Sequence, residues 1–343
     1  MTTTMRAHVI TAHGSAPKLQ AVAIPTPGPG EVLIRVAACG VCHSDIHAVD
    51  GDWAPPSTLP LIPGHEVTGH VVAHGPGVTS PAIGAAVGVA WLASACGQCE
   101  YCLGGMETIC AQAEATGYTR DGGYAEYVTA RADFLATIPA GVDLTRLAPV
   151  LCAGVTTYRG LKNSRARPGQ FAAIVGVGGL GHIAIQYAKA MGLRPIAVDV
   201  DPAKLELALR LGAEMAFHAV NDGTKAVLEA TGGGGHVVLI TATAAAAFEQ
   251  GVEITRAGGT TVFIGIPPTA QDIIRLSIIG LVNGEKSVRG SNVGTRLDLQ
   301  EAVDFAARNL VIPEIEAMPF DQANAALERL RGGKVAGRLV LQL

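Results

Sequence analysis

The run Gly40-Val41-Cys42-His43-Ser44-Asp45-Ile46-His47 puts a thiol, a hydroxyl, a carboxylate and two imidazoles within eight residues. Thiolates and imidazoles bind zinc; hydroxyls and imidazoles move protons. The expectation is that Cys42 binds a catalytic metal and that distant residues complete the site. His65, in Pro63-Gly64-His65-Glu66, and Cys152, in Leu151-Cys152-Ala153-Gly154, have suggestive surroundings. Two thiolates and one imidazole make a catalytic zinc shell with a fourth position open to water or substrate. Their separation in the chain leaves open, at this level, whether they meet.

A second set is compact. Cys96-x-x-Cys99-x-x-Cys102, followed by Cys110, brings four thiols into one short lobe. Four thiolates close a tetrahedral zinc and leave no room for substrate, so this set reads as a structural site. A nucleic-acid-binding zinc ribbon is the other functional reading. The absence of basic residues between these cysteines and the net charge of −4 argue against it.

A third constellation is Gly176-Val177-Gly178-Gly179-Leu180-Gly181, which follows the apolar stretch Phe171–Val175 and opens a helical pattern. In that context G-x-G-x-x-G is a dinucleotide fingerprint. The glycines admit a tight turn, and backbone N–H groups and the helix N-terminus face the pyrophosphate. Asp199 ends the next strand candidate at about the distance expected of a ribose-binding acid. A carboxylate there accepts bonds from the ribose hydroxyls of NAD and repels the 2′-phosphate of NADP.

These groups need elements to hold them. The 343 residues exceed an ordinary single core and suggest two domains. Apolar residues make up 49% and charged residues 16%, so a large core can be buried and disorder is excluded as a class. The charge balance makes nucleic acid or an anionic membrane an unexpected partner. No apolar run reaches the length of a membrane span, and the start lacks a signal-peptide pattern, so a cytoplasmic location is expected. Seven cysteines, an odd number, fit metal binding better than disulfides in such a compartment.

Through residue 130 the pattern is short-stranded and punctuated by Gly and Pro, with strands expected at 6–10, 31–37, 67–72 and 87–91. From Phe171 strands and helices alternate. Helical spacing runs from Leu180 to Met191, and a strand covers Pro195–Val198. Asp201 caps a helix with Pro202 at its first position and Gly212 past its end. Strands are expected at Val237–Ile240 and Thr261–Ile264 around a helix near Ala245–Arg256. Such alternation implies a doubly wound, mostly parallel sheet. Helices at Leu297–Arg308 and Gln322–Leu330 and a strand at Arg338–Leu343 close the chain. The fold class is α/β.

With these residues in place, the chain resembles the zinc-dependent medium-chain alcohol dehydrogenases over essentially its full length, the yeast-type and bacterial tetrameric enzymes most of all. The motifs that carry the resemblance are Gly40–Asp45, Gly64-His65-Glu66, the four-cysteine lobe, Leu151-Cys152-Ala153-Gly154-Val155-Thr156 and Gly176–Gly181. The resemblance implies a GroES-like catalytic domain over 1–153 and 293–343, interrupted by a Rossmann domain over 154–292, and a homotetramer. It selects Cys42 over Cys39 as the ligand. It implies two zincs per chain, one held by Cys42, His65 and Cys152 and one by the four-cysteine lobe, with NAD as cofactor. Asp45 and Glu66 stand behind the ligands, and Glu66 is also a candidate ligand. His43, Thr156, Lys204 and Arg338 match cofactor-contacting positions. Trp53 and Trp91 match the substrate-pocket walls, with Ile266 a further pocket position.

The implied reaction is reversible hydride transfer between a primary, unbranched or flat aromatic alcohol and NAD. Zinc polarises the alcohol or aldehyde oxygen; Ser44 accepts the hydroxyl proton and passes it through the cofactor ribose to His47. The chain departs from the family pattern at Gly84-Ala85-Ala86-Val87-Gly88, where Gly-Asp-Arg-Val-Gly is usual. His70 replaces a smaller or apolar residue and reads as structural.

Overall fold

The structure is a computed structural model and describes residues 3–220, 222–267, 272–333 and 335–343. The chain begins with β1 (Thr4–Val9), β2 (Lys18–Ala23), β3 (Glu31–Gly40), α1 (His43–Asp50), β4 (Val67–His74), β5 (Ala86–Val89) and β6 (Leu92–Ser94). There follow α2 (Glu100–Leu103), β7 (Glu114–Ala115), β8 (Tyr127–Arg131), β9 (Ala136–Thr137), α3 (Leu144–Leu147) and α4 (Ala153–Asn163). An alternating stretch comes next: β10 (Phe171–Val175), α5 (Gly181–Ala190), β11 (Arg194–Asp199), α6 (Pro202–Leu211), β12 (Met215–His218), α7 (Gly223–Thr231), β13 (Gly235–Ile240), α8 (Ala245–Glu253), β14 (Thr255–Phe263), α9 (Ile278–Asn283) and β15 (Ser287–Gly290). The last elements are α10 (Arg296–Ala307), β16 (Ile315–Pro319), α11 (Ala323–Arg331) and β17 (Arg338–Gln342).

Two compact units result. One holds the chain up to Val155 together with Gly294–Ala307 and Pro313–Leu343; the other holds Thr156–Val293 and Arg308–Ile312. The short segment Arg308–Ile312 is assigned away from the C-terminal part in which the sequence placed it. Its link is Gln186 on α5, whose side chain both donates to the Ile312 carbonyl and accepts from the Ile312 N–H, at 3.0 and 2.8 Å.

In the first unit a sheet runs in the order β16-β17-β3-β4-β5-β9, with β8 also pairing β3. β3 lies at its centre because Val32, Ile34, Val36 and Cys39 bury one side of it in the main core, with Val67, Val71 and Val128 from its neighbours. The first and last parts of the chain meet where β17 pairs antiparallel with β3. The turn that departs from the family pattern is held by histidines of β4: His70 Nδ1 lies 3.2 Å from the Gly84 carbonyl and His74 Nε2 lies 2.7 Å from the Pro81 carbonyl.

The second unit is a six-stranded parallel sheet in the order β12-β11-β10-β13-β14-β15. Strand order reverses at β10, the position where a doubly wound sheet opens a crevice for a ligand. Asp201 accepts from the Ala203 N–H at 2.9 Å, Pro202 opens α6, and Gly212 ends it at φ 109°, as the sequence signals require. One expected helix is shorter than its periodicity suggested: α8 stops at Glu253, and Thr255 and Arg256 begin β14. Buried Thr255 bonds both the Gly251 carbonyl and the Thr261 hydroxyl, which ends the helix and starts the strand.

Candidate active site

In the first unit, Cys42, His65, Glu66 and Cys152 are all buried and each offers an atom within 4.8 Å of the others. Cys42 sits at the N-cap of α1, His65 and Glu66 directly precede β4, and Cys152 directly precedes α4. The two sulfurs are 4.0 Å apart, and Ser44 Oγ lies 3.7 Å from Cys42 Sγ. The hydrogen bond with Cys152 pulls the Cys42 thiol well below its usual range against its burial, and His65 and Arg338 add to the pull. The same bond, with burial, pushes Cys152 well up. Cys39, buried on β3, is outside this group, and burial and then Asp45 hold its thiol well above the usual range.

Asp45 organises the ligands. Its Oδ2 accepts from the Cys42 N–H at 2.8 Å and from the Tyr124 hydroxyl at 3.1 Å; its Oδ1 accepts from the Gly64 N–H at 3.1 Å. His65 Nδ1 lies 3.2 Å from Asp45 Oδ1 without hydrogen-bond geometry. Burial alone would lower the His65 pKa; the Asp45 carboxylate raises it well above the usual value. Glu66 is ion-paired with Arg338 of β17, and burial pushes its carboxyl up to about 8 against the pull of that arginine. Gly40 makes room for it, since a Cβ there would lie 1.8 Å from Glu66 Oε2.

This donor set fits a soft-to-borderline cation. Both ring nitrogens of His65 and Oε2 of Glu66 are buried without a hydrogen-bond partner. An unpaired buried polar atom costs about 1–3 kcal/mol. A metal ion taking one imidazole nitrogen and the two sulfurs removes that cost for the nitrogen it takes, and the ligand types are those of a zinc site with an open position.

Aromatic rings wall the same region. His65 meets Trp91 edge-on at 5.0 Å between centroids, and Trp91 meets Trp53 at 6.1 Å. Tyr118 braces both indoles at 5.7 and 5.8 Å, and its hydroxyl donates to the Pro55 carbonyl at 2.8 Å. His47 stacks on Trp53 at 4.4 Å.

Cys96, Cys99, Cys102 and Cys110 also gather within 4.8 Å. The N–H of Cys99 donates to Cys96 Sγ at 3.3 Å and that of Gln112 to Cys110 Sγ at 3.4 Å. Backbone donors from Gln98 and Cys99 bring the Cys96 thiol down to about 6, while desolvation pushes Cys102 up to about 12. Four sulfurs so gathered, with N–H groups aimed at those of Cys96 and Cys110, fit a closed tetrahedral zinc. The lobe is tied to α10 by Arg296, whose Nε donates to Glu107 Oε1 at 2.7 Å.

In the second unit the glycine loop leaves the C-terminal end of β10 and enters α5. Gly176 has φ 92°, and a Cβ on Gly181 would lie 1.9 Å from the Gly176 carbonyl, so both positions need glycine. A Cβ on Gly178 would meet nothing within 4 Å, leaving an open cradle of backbone at the helix N-terminus, which fits a pyrophosphate. Gly179 and Leu180 complete the turn. Asp199 ends β11, with Oδ2 accepting from the Val177 N–H at 2.6 Å and Oδ1 from the Asp201 N–H at 2.9 Å. Lys204 is half-buried on α6, Thr156 is buried on α4 and Ile266 is exposed.

Thus the first unit gathers Cys42, His65, Glu66, Cys152, Ser44, Asp45, His47, Trp53, Trp91 and Arg338, and the second gathers Gly176–Gly181 and Asp199. His43 is exposed on the first turn of α1. The resemblance put Arg338 near a pyrophosphate; the structure gives its guanidinium a carboxylate partner at 3% exposure. Burial would lower Arg338, and Glu66, with Cys42 and Cys152, raises it above its usual value. Sequence reasoning missed Tyr118, Tyr124 and Asp52. Only Asp52 carried a local signal, the Gly51-Asp52 turn after a polar helix.

Comparison with known proteins agrees with this geometry. Residues 28–140 match the alcohol dehydrogenase GroES-like domain, and residues 179–308 match the zinc-binding dehydrogenase domain. An alcohol dehydrogenase of Geobacillus stearothermophilus is 48% identical, covering 99% of both chains. One from Moraxella sp. is 47% identical over 98% of this chain and 99% of its own. The crystal structure of the alcohol dehydrogenase from the archaeon Aeropyrum pernix superposes with a TM-score of 0.90 at 33% identity, covering 98% of this chain and all of the other. From fold, site and relatives together, the chain belongs to the zinc-dependent medium-chain alcohol dehydrogenase family.

Proposed function

We propose that the protein is an NAD-dependent alcohol dehydrogenase interconverting primary alcohols, unbranched or flat aromatic, with their aldehydes. The observation that carries this reading is the buried Cys42–His65–Cys152 set with Ser44 beside it and indoles around it. Cys42, His65 and Cys152 would hold the catalytic zinc, with Glu66 a fourth donor at hand; Cys96, Cys99, Cys102 and Cys110 would hold a structural one. Gly176–Gly181 would cradle the NAD pyrophosphate and Asp199 would take the ribose hydroxyls, with His43, Thr156, Lys204 and Arg338 as further contacts.

When bound, zinc supplies a Lewis acid toward the substrate oxygen and NAD supplies the hydride acceptor. The protein's own work is to place and relay. Ser44 Oγ accepts the hydroxyl proton of the alcohol, and His47, partly open to solvent, exchanges it with water. Trp53 and Trp91, packed edge-on and braced by Tyr118, would keep water out and narrow the pocket in favour of flat or unbranched chains.

A panel of alcohols varied in chain length, branching and aromaticity, assayed with NAD and with NADP, tests this reading. Turnover of primary alcohols with NAD is expected. Turnover confined to branched or secondary alcohols removes the proposed role of the indoles, and no turnover with any alcohol removes the assignment.

A homo-oligomer, expected to be a tetramer, forms part of the proposal. The exposed Ile278, Ile279 and Val282 on α9 support it, because an apolar helix face beside the edge strand β15 favours self-association. Sedimentation as a monomer at micromolar concentration removes it. Among the described residues no helix is long and apolar enough to cross a membrane. A reducing, cytoplasmic setting is proposed because both clusters need free thiols.

A further inference from the structure

The end of α1 turns the chain back on itself. Gly51 ends the helix at φ 68°, its N–H donating to the His47 carbonyl at 2.9 Å. A Cβ there would lie 2.5 Å from the His13 ring, so glycine is required on two grounds. His13 is fixed in turn, its Nε2 lying 3.1 Å from both the carbonyl and the hydroxyl oxygen of Ser57, and that hydroxyl donates to the Ala48 carbonyl at 2.8 Å. The reversal returns Asp52 to the level of His47. His47 Nδ1 lies 2.8 Å from Asp52 Oδ1 and 3.0 Å from Oδ2. The opposite constraint on the ring is the stack on Trp53, at an interplanar angle of 19°.

Two acids flank Gly51, and the structure divides them. Asp50 is taken by Arg331 of α11, whose two terminal nitrogens donate to it at 2.6 and 2.9 Å. Asp52 is left to the imidazole. A carboxylate only accepts, so Nδ1 must carry the proton of the neutral ring and Nε2 must carry the lone pair.

We propose that Asp52 is the positioning residue of the proton path: it selects the Nδ1–H tautomer of His47 and, with Trp53, sets the direction of Nε2. The proton is then taken up at Nε2, giving the imidazolium, and released from Nε2 to water, with no change at Nδ1. This inference rests on the reading of His47 as the solvent end of that path.

The test uses the zinc-loaded enzyme with Asp52→Asn, Asp52→Glu, His47→Gln and the Asp52→Asn/His47→Gln double variant. Asn has the shape of Asp but no charge, and it can turn either its NH₂ or its Oδ1 toward Nδ1, so it no longer dictates one tautomer. Asp52→Asn should lower kcat/KM for alcohol oxidation roughly tenfold or more, and Asp52→Glu should recover most of the loss. In the His47→Gln background Asp52→Asn should add nothing. Nitrogen NMR of labelled histidine on the cofactor-free protein, with the His47 signals identified by their loss in His47→Gln, should show the bare nitrogen at Nε2 alone in wild type and at both positions, with Nδ1 newly populated, in Asp52→Asn. An unchanged tautomer in Asp52→Asn, or additive losses in the double variant, overturns the proposal while leaving His47 on the path. Undiminished turnover in His47→Gln overturns the reading of His47 and the proposal with it.

Discussion

Glu66 and Arg338 form an ion pair at 0% and 3% side-chain exposure, though 272 residues separate them in the chain. The pair ties the segment before β4 to β17 and leaves Glu66 Oε2 buried without a hydrogen-bond partner, facing Gly40.

Breaking one side of this pair strands a buried charge. Glu66→Leu should destabilise the metal-free protein by about 3–5 kcal/mol, because the buried Arg338 guanidinium stays charged, and Glu66→Leu/Arg338→Leu should regain much of that. Chemical denaturation of the three proteins checks it; equal stabilities would show that water reaches the pair.

Metal content separates the two neighbouring thiols. Wild type should carry one zinc for each of the two cysteine-containing groups. Cys42→Ser should lose one of them and its turnover, while Cys39→Ala should keep both. Loss of zinc in Cys39→Ala instead would mean that the wrong thiol has been assigned.

Asp199 has two duties, since both carboxylate oxygens already accept backbone N–H groups. Asp199→Gly should therefore lower the NAD to NADP ratio of kcat/KM by about tenfold or more, equivalent to ~1.4 kcal/mol. It should also cost roughly 1–3 kcal/mol of stability. Asp199→Asn can accept only one of these two N–H groups, so it should also lose stability while still relaxing the cofactor preference. An unchanged ratio in both removes Asp199 from the ribose site.

His8 gives the fold an acid sensitivity outside the active site. Its Nε2 donates to the Phe320 carbonyl at 2.9 Å, and its Nδ1 is buried with no hydrogen-bond partner. Burial lowers its pKa below 6.5, with Phe320 and Asp321 opposing. The neutral form is therefore the folded form. Its contribution is complete above about pH 6.5 and is lost as pH falls through the lowered value. Unfolding free energies measured from about pH 7 to about pH 5 should fall less steeply in His8→Phe than in wild type. Parallel slopes would exclude His8.

Much of this was legible in the residues. The four-cysteine lobe, the glycine loop with Asp199, and the capped helix from Pro202 to Gly212 are local patterns, and local patterns survive folding. The meeting of Cys42, His65 and Cys152 was carried by the resemblance alone, because ligand spacing of that length has no periodic signature. What stayed hidden depends on long-range approach. Arg338 finds Glu66 only through the β17–β3 pairing, and Tyr118 reaches the indoles from a loop with no pattern of its own. The end of α8 was misjudged because Thr255 is recruited by Thr261, a partner that helical spacing does not display.

The interruption of the first unit by the second has a consequence for synthesis. Cys42, His65, Glu66 and Cys152 leave the ribosome before any of the second unit, while Arg338 follows all of it. A nascent chain can fill its four-cysteine lobe early, yet it carries Glu66 without a counter-charge until the last strand arrives. Truncated products should thus retain the lobe's metal but not a settled catalytic centre, which makes that centre a late checkpoint on completed translation.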